Sequence, residues 1–350
     1  MISYKILMVY PQKTTFVKND VAILQEFCEV KQQQFFLKKS RLTFFYYQFK
    51  GILELIKNIP SRDLVYVWFN DYHAFWACLL AKIFRKKVLV VVGGYDAVSI
   101  PSIEFGLFYK KNLRTRLARW VYQNVDHILP VDESMIKNKN SYAGGDATTG
   151  ILNFMPELKT PITVIPTGYA AGDWYAKQKK NQVLTVGQIS GKKVYWLKGI
   201  DFFLKLAERH PQIKFIVAGV QQENIIPEKF KALKNLQILP HLEKEELKEL
   251  YAETKVYAQF SLSEGLPNVL CEAMMSECVP VGSAVNGIPR AIGDCGYILN
   301  SPNLEEASEK ILKALENNEI GKCARNRILT HFPVSLRKKS LNQIIHDLLD

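Results

Sequence analysis

Short runs rich in Val, Ile and Leu recur along the chain, separated by stretches whose apolar residues return every three or four positions. In the first half, YKILMVY (4–10), DLVYVWF (63–69), KVLVVV (87–92), HILPV (127–131) and ITVIP (162–166) read as buried strands. FVKNDVAILQEF (16–27), DYHAFWACLLAKIF (71–84) and LRTRLARWVYQ (113–123) read as the helices between them. The second half repeats the scheme. Its strands are QVLTVGQI (182–189), KFIVAG (214–219), LQILP (236–240), VYAQF (256–260), VPVGSA (279–284) and GYIL (296–299). Its helices include IDFFLKLAERH (200–210), EKEELKELYAE (243–253) and EEASEKILKALEN (305–317). Alternation sustained over this length predicts parallel sheets with helices on both faces, and ligands held beyond the strand C-termini.

The stretch GYAAGDWYAKQKKNQ (168–182) holds small residues and charge without apolar periodicity. It marks a linker, so two Rossmann-like domains facing each other across a cleft are expected. The closing SLRKKSLNQIIHDLLD (335–350) carries one apolar stripe, Leu336, Ile344, Ile345, Leu348 and Leu349, and is expected to be a helix packing back across the domains. At 350 residues and 48% hydrophobic content, the chain can fill two cores.

Cysteine, histidine and charge narrow the chemistry. The six cysteines form no CxxC pair and several sit in apolar runs, which predicts buried free thiols of a reducing compartment. Six scattered histidines make no HExxH or clustered set, so no metal site is expected. No apolar run approaches the ~18 residues of a membrane span. The N-terminal MISYKILMVYP reads as a first strand, being too short for a signal segment and without a cleavage site. A net charge of +12 calls for an anionic partner: nucleic acid, an acidic membrane surface or a phosphorylated ligand.

Among phosphate binders, no GxGxxG follows any strand, and GQISGKK (187–193) is one residue short of a P-loop with no Ser or Thr after its lysines. What remains is SLSEGLPNVLCEAMMSE (261–277), where a strand ends, a Gly-Leu-Pro turn follows and a helix begins. A helix N-terminus offers unpaired N–H groups and roughly +0.5 charge to a diphosphate. Gly265 permits close backbone approach, and Pro267 suits the first helical turn. Glu264 then lies before the helix and Glu272 farther along it, placed to accept hydroxyl groups at the two ends of a nucleotide sugar. A solvated helix face with two surface glutamates fits this segment equally well.

The same segment resembles the Glu-seven-residues-Glu signature, with its Gly-Leu-Pro turn, of the retaining glycosyltransferases of family 4, which have the GT-B fold. Other segments resemble that family in the same order: NDYHAFWACLLAKIFRKKVLVVVGGYDA (70–97), VIPTGY (164–169), LTVGQI (184–189) with WLKGIDFFLKLAE (196–208), and NLQILPHLEKEELKELYAE (235–253). The resemblance implies an N-terminal acceptor domain over 1–172, a C-terminal donor domain over 173–334 and a returning helix over 335–350. It implies Lys198 at the donor diphosphate, Glu264 at the donor hexose and Glu272 at the ribose. Leu266, Pro267 and Asn268 would hold phosphates and sugar through their backbone, with Pro240 and His241 abutting the base. His73 is the candidate first-domain histidine at the reaction centre, with a histidine on an amphipathic helix as the plainer reading. Asn70 stands where the family more often has histidine, and Gly93, Gly94 and Asp96 form a turn open to close approach by donor or acceptor.

Three departures stand out. Gln188 replaces the expected arginine, leaving Lys192 or Lys193 to supply that cation; NGIPR (286–290) puts Arg290 where the family has glutamate; and PQKTTF (11–16) lacks the usual glycines. The resemblance implies metal-independent hexosyl transfer with retention and no cofactor beyond a nucleotide-diphosphate sugar. Its acceptor would be a glycan or lipid-linked saccharide of cell-surface polysaccharide synthesis. The alternative is a GT-B protein without catalysis, serving as a binding partner or adaptor. Two stretches, 31–57 and 104–123, concentrate positive charge amid aromatic residues, as basic amphipathic helices on anionic membranes do. A cytoplasmic protein peripheral to the inner membrane face is therefore expected, against two solvated helix faces with ordinary core aromatics. No nucleic-acid motif accompanies the charge.

Overall fold

The computed structural model describes residues 4–36, 40–317 and 319–350, with Arg41 and Glu223 described by backbone alone. The chain divides into two compact units: Met1–Asn138, Thr148–Thr167 and Ser335–Asp350 form the first, Lys139–Ala147 and Gly168–Val334 the second. The sequence pattern kept 139–147 with the first domain. The structure moves it to the second because Asn140 Nδ2 donates to the Leu262 carbonyl at 2.7 Å and Asn140 Oδ1 takes the Ala143 N–H.

Five parallel strands make the first sheet, in the spatial order Cys28–Gln34, Tyr4–Tyr10, Leu64–Trp68, Lys87–Val92, His127–Pro130. Numbered along the chain this is 2-1-3-4-5, one of the common doubly wound orders. Apart from Lys5 and Lys87 near their starts, its interior strands are buried, which is why they read as apolar runs. The edge strand Cys28–Gln34, CEVKQQQ, was not expected. It is held by register with its neighbour, Tyr4 opposite Cys28 through Tyr10 opposite Gln34, instead of by apolar pattern. ITVIP is corrected in the other direction. It lies along His127–Pro130 through backbone bonds from Thr163 and Ile165, but only Ile162 forms a bridge, because flanking Pro161 and Pro166 have no N–H to extend a ladder.

The second sheet has six parallel strands, ordered Leu236–Leu239, Lys214–Val220, Lys180–Ile189, Thr254–Gln259, Val279–Ser283, Tyr297–Leu299. In chain order this is 3-2-1-4-5-6, the Rossmann order, which reverses between Lys180–Ile189 and Thr254–Gln259. The 168–182 stretch is tied down at its start: Tyr169 N donates to the Phe332 carbonyl and Val334 N to the Tyr169 carbonyl. Two cysteines depart from the free-thiol expectation. Cys295 and Cys323 form a disulfide, while Cys28, Cys78, Cys271 and Cys278 are free and buried.

The closing helix, Val334–Leu349, is held to the first unit by charge. Arg337 donates through Nε and Nη2 to both oxygens of Asp20 at 2.6 and 2.7 Å, both side chains almost fully buried. Tyr66 and Trp68 also donate to Asp20 at 2.8 Å, and Arg337 Nη1 reaches the Ile165 and Pro166 carbonyls. Of the expected stripe, Ile344 and Ile345 are buried, whereas Leu336 is 45% exposed. Arg337→Ala strands a buried carboxylate, so it should cost about 3–5 kcal/mol in urea unfolding, while Asp20→Asn with Arg337→Met, which removes both charges and keeps an acceptor for Tyr66 and Trp68, should recover part of that loss. A double variant no more stable than the single one would assign the loss to packing.

Candidate functional site

Lys198 and Glu264 come from opposite sides of the topological switch in the second sheet. Lys198 follows the helix Lys192–Leu197, after the strand Lys180–Ile189; Glu264 lies in the loop after Thr254–Gln259. Lys198 Nζ donates to Glu264 Oε1 at 2.6 Å. Gly199 makes this approach possible: its φ is +65°, and a Cβ there would lie 2.1 Å from the Phe260 carbonyl oxygen.

Two further donors converge on the same oxygen. Ser261 Oγ reaches Glu264 Oε1 at 2.7 Å and Gln259 Nε2 at 3.0 Å. Gln259 is itself oriented by Tyr257, whose hydroxyl donates to Oε1 of the amide at 2.8 Å. Glu264 Oε2 has no partner among the described residues. The loop is braced from behind by Asn286, whose Nδ2 donates to the Glu264 carbonyl at 2.6 Å, and by Gly287 N on the Gly265 carbonyl. On the other side, Asn140 holds the Leu262 carbonyl.

The helix expected after the turn runs Asn268–Met275, with Pro267 as its N-cap. Its first amides have no intrahelical acceptor, so they point out of the N-terminus beside Glu264. Gly265, Leu266 and Pro267 are buried, and the side chain of Asn268 accepts the Tyr169 hydroxyl at 2.7 Å. Glu272 sits one turn on, about 6 Å along the axis. It is almost fully buried with no hydrogen-bond donor among the described residues. Burial pushes its carboxyl up to about 7, with distant Lys244 pulling the other way. Gln188, Lys193, Pro240 and His241 are exposed, the Pro240 carbonyl accepting Gly219 N at 3.0 Å. Gln259, Ser261, Asn140 and Tyr169 escaped the sequence reading. Their signal is tertiary, except that Gln259 and Ser261 stand two apart at the end of a buried strand, where polar residues are out of place.

The first-unit residues expected at the site have their side chains inside the unit. His73 is fully buried on the helix Tyr72–Ile83, its Nε2 at 2.8 Å from the Trp68 carbonyl and its Nδ1 left without a partner. Burial holds the ring below its ordinary pKa. With no exposed surface, the ring packs between this helix and the end of the strand Leu64–Trp68. Asn70 and Asp96 are equally buried. Asp96 accepts the backbone N–H groups of Asn70, Gly93 and Gly94 at 3.0–3.1 Å, and burial pushes its carboxyl up to about 6. Asn70 Nδ2 is spent on the Ala118 carbonyl. These side chains tie two strand ends together, and of Gly93, Gly94 and Asp96 only Gly93 is partly open. Among the described residues no three His, Cys, Asp or Glu side chains gather as a metal site.

Residues 172–328 match the family described as Glycosyl transferases group 1. The chain is 22% identical over 187 residues to the gpi3 component of the phosphatidylinositol N-acetylglucosaminyltransferase of Schizosaccharomyces pombe, covering 51% of this chain and 38% of that one. It is 23% identical over 272 residues to a component of the human phosphatidylinositol N-acetylglucosaminyltransferase, covering 75% of this chain and 52% of that one. The chain thus spans about half the length or less of these relatives. Its fold is similar to that of Anabaena HepE, solved with UDP and glucose, at a TM-score of 0.73 and 13% identity over 98% of this chain and 99% of that one. The chain shares the GT-B fold of its solved structural neighbours.

A glutamate ordinarily titrates near 4.5, and Glu272 in the fold near 7. Between those values the unfolded chain ionises and the folded one does not, so stability falls as pH rises through the window and is level above it. Glu272→Gln carries no such penalty. Its stability relative to wild type should rise by about 3 kcal/mol between pH 4 and pH 8, measured by urea unfolding. A difference that is flat with pH would mean that Glu272 titrates normally.

Proposed function

Because its residues 172–328 form a domain of the Glycosyl transferases group 1 family, we propose that this chain transfers a hexose from a nucleoside-diphosphate sugar to a glycan or lipid-linked acceptor, with retention and without a metal. The observation that carries this reading is the Glu264 carboxylate, fixed through Oε1 by Lys198, Gln259 and Ser261, with Oε2 left for a ligand hydroxyl. The amides of the Asn268 helix take the diphosphate. Glu272 takes the ribose hydroxyls, whose donation favours its ionised form.

As the glycosidic bond breaks, negative charge grows on the departing diphosphate. Lys198 and the helix N-terminus stabilise it, in a site whose donors are already oriented. The Lys198–Glu264 pair has two roles: it keeps the lysine aimed before donor arrives, and it leaves the cation within reach of the phosphate. Gln188 supplies no charge, so Lys192 and Lys193 serve as the additional phosphate cations. The HepE structure with UDP and glucose supports a uridine nucleotide as the first donor to test. The cell-surface role and the position at the inner face of a membrane belong to this same proposal; no helix among the described residues is long and apolar enough to cross a bilayer.

Thermal unfolding with UDP-, GDP-, ADP- and TDP-sugars tests the reading. A true donor at a hundredfold excess over Kd adds about 2.7 kcal/mol to wild type, a rise of several degrees, and little to Glu272→Ala. Lys198→Ala should then lower kcat for transfer about 10²–10³-fold, and the product anomer reports retention. No shift with any donor favours the non-catalytic adaptor, for which Gln188 is the first reason.

A further inference from the structure

The helix Arg41–Asn58 is apolar on two opposite faces. One is buried in the first unit: Leu55 has no exposed surface, and Gly51 lies so close to the Phe35 ring that a Cβ there would come within 2.3 Å of it. The other face points to solvent. Leu42, Phe45, Tyr46, Phe49, Leu53 and Ile56 are between 42% and 85% exposed. Their spacing places all six in one strip roughly 100° wide along the helix. Single surface apolar residues need no explanation, but six large ones in line form a contiguous patch of the kind that marks an interaction site.

The strip does not hold the helix in place. That is done by Phe44 against Tyr72, with ring centroids 5.4 Å apart, and by Gln48, which takes the Trp76 indole N–H at 3.1 Å. These two contacts also set the neighbouring helix Tyr72–Ile83 alongside in the same direction. Its last turn carries Ile83, 63% exposed, and the exposed Lys82. Lys50 and Lys57 flank the strip, Lys50 sitting 4.0 Å from Glu54.

The second basic stretch is arranged differently. Phe108 stacks on Phe154 and Trp120 packs on Phe75, so its aromatics serve the core. The two stretches looked alike in sequence, yet 104–123 turns only Leu113 of its large apolar residues outward, against six in 41–58.

We propose that this strip is a membrane-docking face, lying in the headgroup region of an anionic bilayer with its aromatic residues inserted and its lysines on the lipid phosphates. A second copy of the chain is the other natural occupant of an apolar face. Strip against strip would set Lys50 and Lys57 against their own kind in a chain of net charge +12, whereas anionic lipid attracts the same residues. The inference rests on the transferase reading only for what the bilayer would supply, a lipid-linked acceptor.

The full chain and a Phe45→Ser/Phe49→Ser/Leu53→Ser variant would be sedimented with vesicles of phosphatidylcholine alone and of phosphatidylcholine mixed with anionic phosphatidylglycerol. Wild type should pellet with the anionic vesicles, more weakly as salt rises, and the variant at least about tenfold less, with unfolding temperature unchanged because the replaced side chains face solvent. Wild type left in the supernatant with both vesicles overturns the proposal. So does equal binding by the variant, or a lipid-free dimer that the variant dissolves. Nucleotide stabilisation is read without lipid, so vesicle binding without any nucleotide shift would sink the transferase reading and leave the docking face standing.

Discussion

Parallel strand pairing is the constraint on which the rest of this molecule depends. A parallel strand cannot be reached by a tight hairpin, so each connection must cross over, and helices cover both sheet faces. The same constraint gathers all strand C-termini, and the helix N-termini that follow them, along one edge of each sheet. In the second unit the strand order 3-2-1-4-5-6 reverses between Lys180–Ile189 and Thr254–Gln259. The connections there must part in opposite directions, and Lys198 and Glu264 meet at the gap. Their contact is a consequence of topology, made close by a glycine that admits the Phe260 carbonyl.

Four buried or half-buried carboxylates show how the fold divides electrostatic work. Asp20 is satisfied by an arginine, a phenol and an indole, and holds the closing helix to the first unit. Asp96 is satisfied by three backbone amides and braces two strand ends. Both are complete, with nothing left for a ligand. Glu264 is complete on one oxygen only, and Glu272 is held by burial alone with its carboxyl pushed up to about 7. A carboxylate left short of partners is costly unless something else supplies them, which is the physical ground for the donor contacts proposed for Glu264 and Glu272.

Aromatic residues tell a parallel story in the first unit. Residues 31–57 and 104–123 have similar composition, and each fits either a core helix or a surface-seeking one. The helix Arg41–Asn58 already fills its inner face with Leu55 and Gly51 against Phe35, so its remaining large residues have no core left to enter. In 104–123 the core still has room, and Phe108 and Trp120 take it.

The sequence by itself determined the alternation of strands and helices, because β-branched runs buried on both faces need no partner to be recognised. It also determined the Glu264–Glu272 pair with its Gly-Leu-Pro turn, since that chemistry is local. The polar edge strand Cys28–Gln34 was hidden, because its stability comes from register with Tyr4–Tyr10 and not from its own pattern. Only the tertiary structure decided that His73, Asn70 and Asp96 are internal braces, that Cys295 meets Cys323, and that Gln259, Ser261 and Asn140 support the Glu264 loop. Each of these is a contact between residues far apart in the chain or a choice between facing inward and outward. Local pattern carries neither, because burial is set by which surfaces the neighbouring elements have already covered.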